Sequence, residues 1–103
     1  MCHVKHDNVV CYYLYMTLHT FLEQNSQWKQ EENTLTGEFT FDGFSGVSAA
    51  IQQCMQLAKK LDHHPEATFG YKTIKIVLTT HDAGSSITEL DVEFAQTFTQ
   101  QLR

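Results

Sequence analysis

The chain has 103 residues, 42% of them hydrophobic and 18% charged, and a formal charge of −5. That length suits one domain burying roughly 60 to 70% of its unfolded surface, and the composition excludes disordered, collagen-like and membrane-spanning classes. Seven Lys and Arg against twelve Asp and Glu argue against direct nucleic-acid binding, which needs a basic face, and leave only a local patch around Lys59, Lys60, Lys72 and Lys75.

The first eight residues read as a loose leader. The apolar run 9–16 is too short to span a bilayer and no small-residue cleavage site follows it, so a soluble, cytoplasmic protein without signal peptide or membrane contact is expected. Cys2, Cys11 and Cys54 form no CxxC spacing and cannot all pair, which suits reduced thiols inside the cell. A first helix is predicted over 10–24, where Leu14, Leu18, Phe21 and Leu22 keep the spacing of one helical face. His19 on it reads as a partly exposed helix residue.

After Trp28 and the polar turn 31–34, Leu35, Gly37, Phe39 and Phe41 alternate with Thr36, Glu38 and Thr40, the pattern of a half-buried strand with 28–30 as its hairpin partner. Asp42-Gly43 ends the strand, and Asp42 or Ser45 is placed to cap a second helix. Val47, Ala50, Ile51, Cys54, Ala58 and Leu61 form its buried face, and Pro65 closes it, because the residue before a proline avoids helical angles. A further strand is predicted over 69–80, with Ile74, Ile76 and Leu78 facing one way and Lys75, Val77 and Thr79 the other. A loop over 82–86 leads to Thr88 and Asp91, a capping-box spacing that starts a last helix carrying Leu90, Phe94, Phe98 and Leu102. With one proline and no repeat, the whole chain reads as a single α+β domain whose helices cover one sheet face.

The chemistry concentrates in Asp62-His63-His64-Pro65-Glu66 and Thr80-His81-Asp82, which hold three of the six histidines. Imidazole titrates near pH 6.5, so such a cluster both gives and takes protons. Blander readings stand beside this one. His63-His64 before a proline also suits a helix C-terminus, where cations meet the negative end of the dipole. Zinc is a third option, although adjacent histidines rarely converge on one ion and no four-ligand pattern is evident. Trp28, Phe39, Phe41 and Phe44 are core residues by default, and Tyr71 belongs to core or dimer packing.

Phe39-Thr40-Phe41-Asp42-Gly43-Phe44, Ala58-Lys59-Lys60-Leu61-Asp62-His63-His64-Pro65-Glu66, Tyr71, Thr80-His81-Asp82 and Asp91 resemble, in order and nearly in spacing, the pterin-4a-carbinolamine dehydratase family, also known as the dimerisation cofactor of a homeodomain transcription factor. The resemblance runs from Trp28 to the C-terminus. It implies a four-stranded antiparallel sheet with three helices on one face, with the fourth strand expected near Ser86 and Ile87, and assembly into homodimers or homotetramers. It also implies dehydration of 4a-hydroxytetrahydrobiopterin to quinonoid dihydrobiopterin, which recycles tetrahydrobiopterin, with no metal or bound cofactor. Three departures stand out: Lys59 replaces a frequent glutamate, Ala67 replaces an aromatic residue, and the loop before Ile87-Thr88 is one residue longer and lacks the common glycine-leucine pair.

Under that resemblance His63 and His81 are the acid and base, in either order. His64, beside a second imidazole and so favoured as neutral, holds the pterin together with Asp62, Pro65, Thr79, Thr80, Asp82 and Trp28. Asp62, Asp82 and Asp91 are candidates to orient imidazole N–H groups, as a triad carboxylate does, and Glu66 supports the site. Asp91 reads equally as the N3 residue of the last helix. The competing functions are a non-catalytic pterin binder and a module that stabilises another protein's dimer through the exposed face of the second helix, over 49–60.

Overall fold

Four strands and three helices are present in the computed structural model, which describes residues 8–102, with side chains from Leu14 onward except that of Asp82. The predicted leader falls outside the described residues apart from Asn8, which opens α1 (Asn8–Gln24). The chain then forms β1 (Trp28–Glu31), β2 (Thr34–Thr40), α2 (Phe44–Leu61), β3 (Glu66–Phe69), β4 (Thr73–Leu78), a 3-10 turn at His81–Ala83 and α3 (Glu89–Gln101). The strands pair antiparallel throughout, in the order β1-β2-β4-β3.

Alternation along the strands decides which sheet face is covered. Leu35 and Phe39 of β2 register with Leu78 and Ile74 of β4, and all four are buried with Ile76 against Leu14, Leu18 and Phe21 of α1, Ala50, Cys54 and Leu57 of α2, and Val92, Phe94, Ala95 and Phe98 of α3. Each large side chain sealed in this way contributes about 1.5–3 kcal/mol of transfer free energy. Glu38, Thr40 and Lys75, of opposite parity, are exposed. Gly37 sits on the inner face because nothing larger fits: a Cβ there would lie 2.7 Å from the Trp28 indole.

Several expectations change. The predicted strand over 69–80 is a hairpin, folded where the Gly70 N–H bonds the Thr73 carbonyl at 2.9 Å. The fourth strand is therefore β3, and Ser86 makes only an isolated bridge to Thr80. β3 leaves no periodic signal because all four of its residues are exposed. Neither Asp42 nor Ser45 caps α2: the N-cap is Gly43, so Asp42 lies one residue too early and Ser45 inside the first turn. α2 stops at Leu61, ahead of Pro65, because Asp62 turns left-handed (φ 50°, ψ 46°). Phe44, expected in the core, is exposed, as is Leu90 of α3; Tyr71, expected in core or dimer packing, is exposed in the single chain and stacks on Phe44 with ring centroids 6.3 Å apart.

Candidate functional site

The C-terminus of α2 sets the position of His63. Two backbone bonds close the helix, from the Asp62 N–H to the Lys59 carbonyl (3.4 Å) and from the His63 N–H to the Ala58 carbonyl (3.0 Å), the paired pattern of a Schellman motif with its left-handed residue at Asp62. The turn delivers the His63 side chain into the core, where it is 7% exposed and its ring is tilted 66° to that of Phe94, with centroids 6.3 Å apart.

Asp91, wholly buried, receives it. His63 Nε2 lies 2.5 Å from Asp91 Oδ1, the Thr80 hydroxyl donates to Asp91 Oδ2 at 2.8 Å, and the Thr88 N–H donates to the same oxygen at 2.8 Å. Thr88 and Asp91 form the predicted capping box, so both readings of Asp91 hold together: one oxygen caps α3 and the other meets the imidazole. The positive end of the α3 dipole favours negative charge here, and three donors answer a charge that would otherwise be costly to bury. The ends of α2, β4 and α3 converge on this carboxylate. Spacing alone reads Thr88 as a helix cap; its connection to a histidine 25 positions earlier has no sequence signal.

The other candidates lie on separate elements and make no hydrogen bond to the His63–Asp91 pair among the described residues. His64 is exposed and Pro65 half-buried on the segment leading into β3, whose first residue, the exposed Glu66, pairs with Val77. Asp62 is exposed, and it is Asp91 that meets the His63 ring. His81 lies exposed in the 3-10 turn, with Nδ1 3.4 Å from Ser85 Oγ. The Asp82 side chain is outside the described residues. Thr79 donates its hydroxyl to the Asn33 carbonyl at 2.9 Å and lines an open groove of about 430 Å³ on the uncovered sheet face with Lys75, Val77 and Ser85. Trp28 is a core residue, its indole N–H donating to Thr99 Oγ1 at 2.8 Å. His19 pairs with Glu23 at 2.6 Å on the exposed side of α1. Among the described residues no group of three or more His, Cys, Asp or Glu is placed to hold a metal ion, and no helix is long and apolar enough to cross a membrane.

A four-stranded antiparallel sheet backed by three helices makes a small α+β domain, with a buried His–Asp pair at its His-His-Pro turn. The chain belongs to the pterin 4 alpha carbinolamine dehydratase family, whose model matches residues 16–101. It is 40% identical over 86 residues to a Bordetella avium protein named "Putative pterin-4-alpha-carbinolamine dehydratase", covering 82% of this chain and 79% of that one. A Prochlorococcus marinus protein of the same name is 37% identical over 79 residues, covering 77% of this chain and 82% of that one. Among solved structures, a transcriptional coactivator/pterin dehydratase from Brucella melitensis superposes with a TM-score of 0.73 at 29% identity, covering 81% of this chain and 89% of that one. The same fold recurs at 21% identity, with a TM-score of 0.61 and coverage of 72% of this chain and 87% of the other, in a pterin dehydratase-like RuBisCO assembly factor of the alpha-carboxysome.

Proposed function

We propose that this protein is a hydro-lyase that takes a 4a-hydroxytetrahydropterin to the quinonoid dihydropterin and water. In that reaction the carbon–oxygen bond breaks as the leaving hydroxyl takes a proton from an acid. A ring N–H gives its proton to a base, and the nitrogen electron pair forms the new double bond. One acid and one base suffice, each contributing about 10² to 10⁴ in rate when positioned.

The observation that supports this reading most is the His63–Asp91 pair, 2.5 Å apart and buried, on a segment that the family model spans. A histidine serving only as a positive charge at a helix end has no need of a buried carboxylate. His63, held by Asp91, and His81, on an exposed turn where its protons exchange with solvent, are assigned the two proton transfers. His64, exposed on the adjoining segment, is assigned to hold the pterin ring, with Pro65 and Asp62 beside it.

The test generates 4a-hydroxytetrahydropterin in solution and follows formation of the quinonoid product with wild type, His63→Ala and His81→Ala. Wild type should outpace buffer, and each variant should lose at least tenfold of that acceleration. A wild-type rate equal to buffer removes the enzyme, and equal rates in all three proteins remove the residue assignment. A second reading, a module that engages a partner through α2, draws on the 57% exposure of Met55 on that helix and on the coactivator named with the Brucella structure. Light scattering with and without pterin, on wild type and Met55→Glu, separates an assembly role from catalysis.

A further inference from the structure

The hydrogen bonds around Asp91 leave little freedom in where their protons lie. A threonine hydroxyl carries one hydrogen, and a carboxylate only accepts. Thr80 directs its hydrogen to Asp91 Oδ2 at 2.8 Å. The 2.7 Å contact between the Thr80 and Thr88 hydroxyls must then be supplied by the Thr88 hydrogen. Oδ2 is filled by Thr80 and by the Thr88 N–H, and Oδ1 is left to accept from His63 Nε2. The second ring nitrogen, Nδ1, makes no hydrogen bond among the described residues.

We infer that Thr88 and Thr80 are positioning residues that fix which Asp91 oxygen faces His63, so that the carboxylate holds the His63 proton on Nε2 and leaves Nδ1 as the nitrogen that exchanges protons with the substrate. The catalytic half rests on the function proposed above; the tautomer itself does not. The chain runs from the N-cap of α3 through the last residue before the 3-10 turn to the imidazole, and each bond polarises the next.

The same ordering makes a sharp demand on Asp91→Asn. With Thr80 and the Thr88 N–H both donating to the Oδ2 position, the amide oxygen must take that place and its NH₂ must face His63, so Nε2 turns acceptor and the proton moves to Nδ1. Imidazole ¹⁵N NMR at a pH where the ring is neutral reads this directly. Wild type should show a protonated Nε2 and a bare Nδ1, and Asp91→Asn the reverse. Thr80→Val, which removes the middle donor, should give a mixture in the Asp91→Asn background, and Thr80→Ser should restore one tautomer. With the wrong tautomer, kcat for the dehydration should fall by ~10-fold or more. A wild-type proton on Nδ1, or an Asp91→Asn spectrum that keeps it on Nε2, overturns the inference. If Asp91→Asn does not fold, a wild-type spectrum with the proton on Nδ1 still overturns the inference. Because these spectra need no turnover, a catalytically silent protein with the stated tautomers refutes the function and leaves the proton order standing.

Discussion

Asp91 caps α3 and meets His63 with a single carboxylate, taking the Thr88 N–H at 2.8 Å on Oδ2 while Oδ1 lies 2.5 Å from His63 Nε2. The start of a helix and the orientation of an imidazole therefore depend on the same buried charge. Unwinding the first turn of α3 frees the ring, and losing the ring leaves the charge short of a donor.

The two histidines assigned to catalysis should consequently differ in what else they do. His63→Ala strips a donor from a wholly buried carboxylate, at a cost of about 1–3 kcal/mol. His81→Ala, on an exposed turn, should change stability by less than ~0.5 kcal/mol. Urea unfolding midpoints separate them, and equal losses would show that Asp91 does not need His63.

Gly37→Ala should destabilise the domain. A new Cβ would stand 2.7 Å from the Trp28 ring, and overpacking a filled core typically costs about 1–3 kcal/mol. Gly43→Asp is the contrasting change, since a Cβ at Gly43 has nothing within 4 Å and a carboxylate at the α2 N-cap should add a few tenths to ~1 kcal/mol. Thermal melts of both variants should move in opposite directions.

Thr99→Val removes the acceptor of the Trp28 indole N–H at nearly constant volume. A buried donor without a partner costs about 1–3 kcal/mol. Trp28 is the only tryptophan, so its emission reports the change as well as the unfolding curve, and an unaltered curve would show that the bond contributes nothing net.

Cys54 should react slowly in the folded protein. It is 5% exposed, and desolvation pushes its thiol up from the ordinary value, which suppresses the reactive thiolate. The unfolded chain gives up that proton more readily, so this thiol lowers folding stability as pH rises through the ordinary thiol range. A chain with Cys2→Ser and Cys11→Ser isolates Cys54 for labelling, and a rate equal to that in denaturant would contradict its burial.

Much of the fold is legible in local pattern because burial imposes a period on side chains. The inner face of β2 and β4 follows the alternation of Leu35, Phe39, Ile74, Ile76 and Leu78, and α1 follows the spacing of Leu14, Leu18 and Phe21. Where burial is absent the pattern fails: β3 is exposed along its length, and exposed residues carry no period to read. The end of α2 is similarly hidden, because a left-handed aspartate at residue 62 ends the helix before the proline does.

The sequence by itself determined the chemistry on offer, three histidines in two clusters and a helix cap at Thr88 and Asp91, since side-chain identity and short-range spacing are local properties. The tertiary structure decided how those groups are joined. His63 is paired with an aspartate 28 positions away rather than with adjacent Asp62, Thr80 is bound to that aspartate, and Trp28 is held in the core. Such pairings arise when the ends of α2, β4 and α3 are packed together and a buried carboxylate must find donors, a constraint that exists only once the chain has folded.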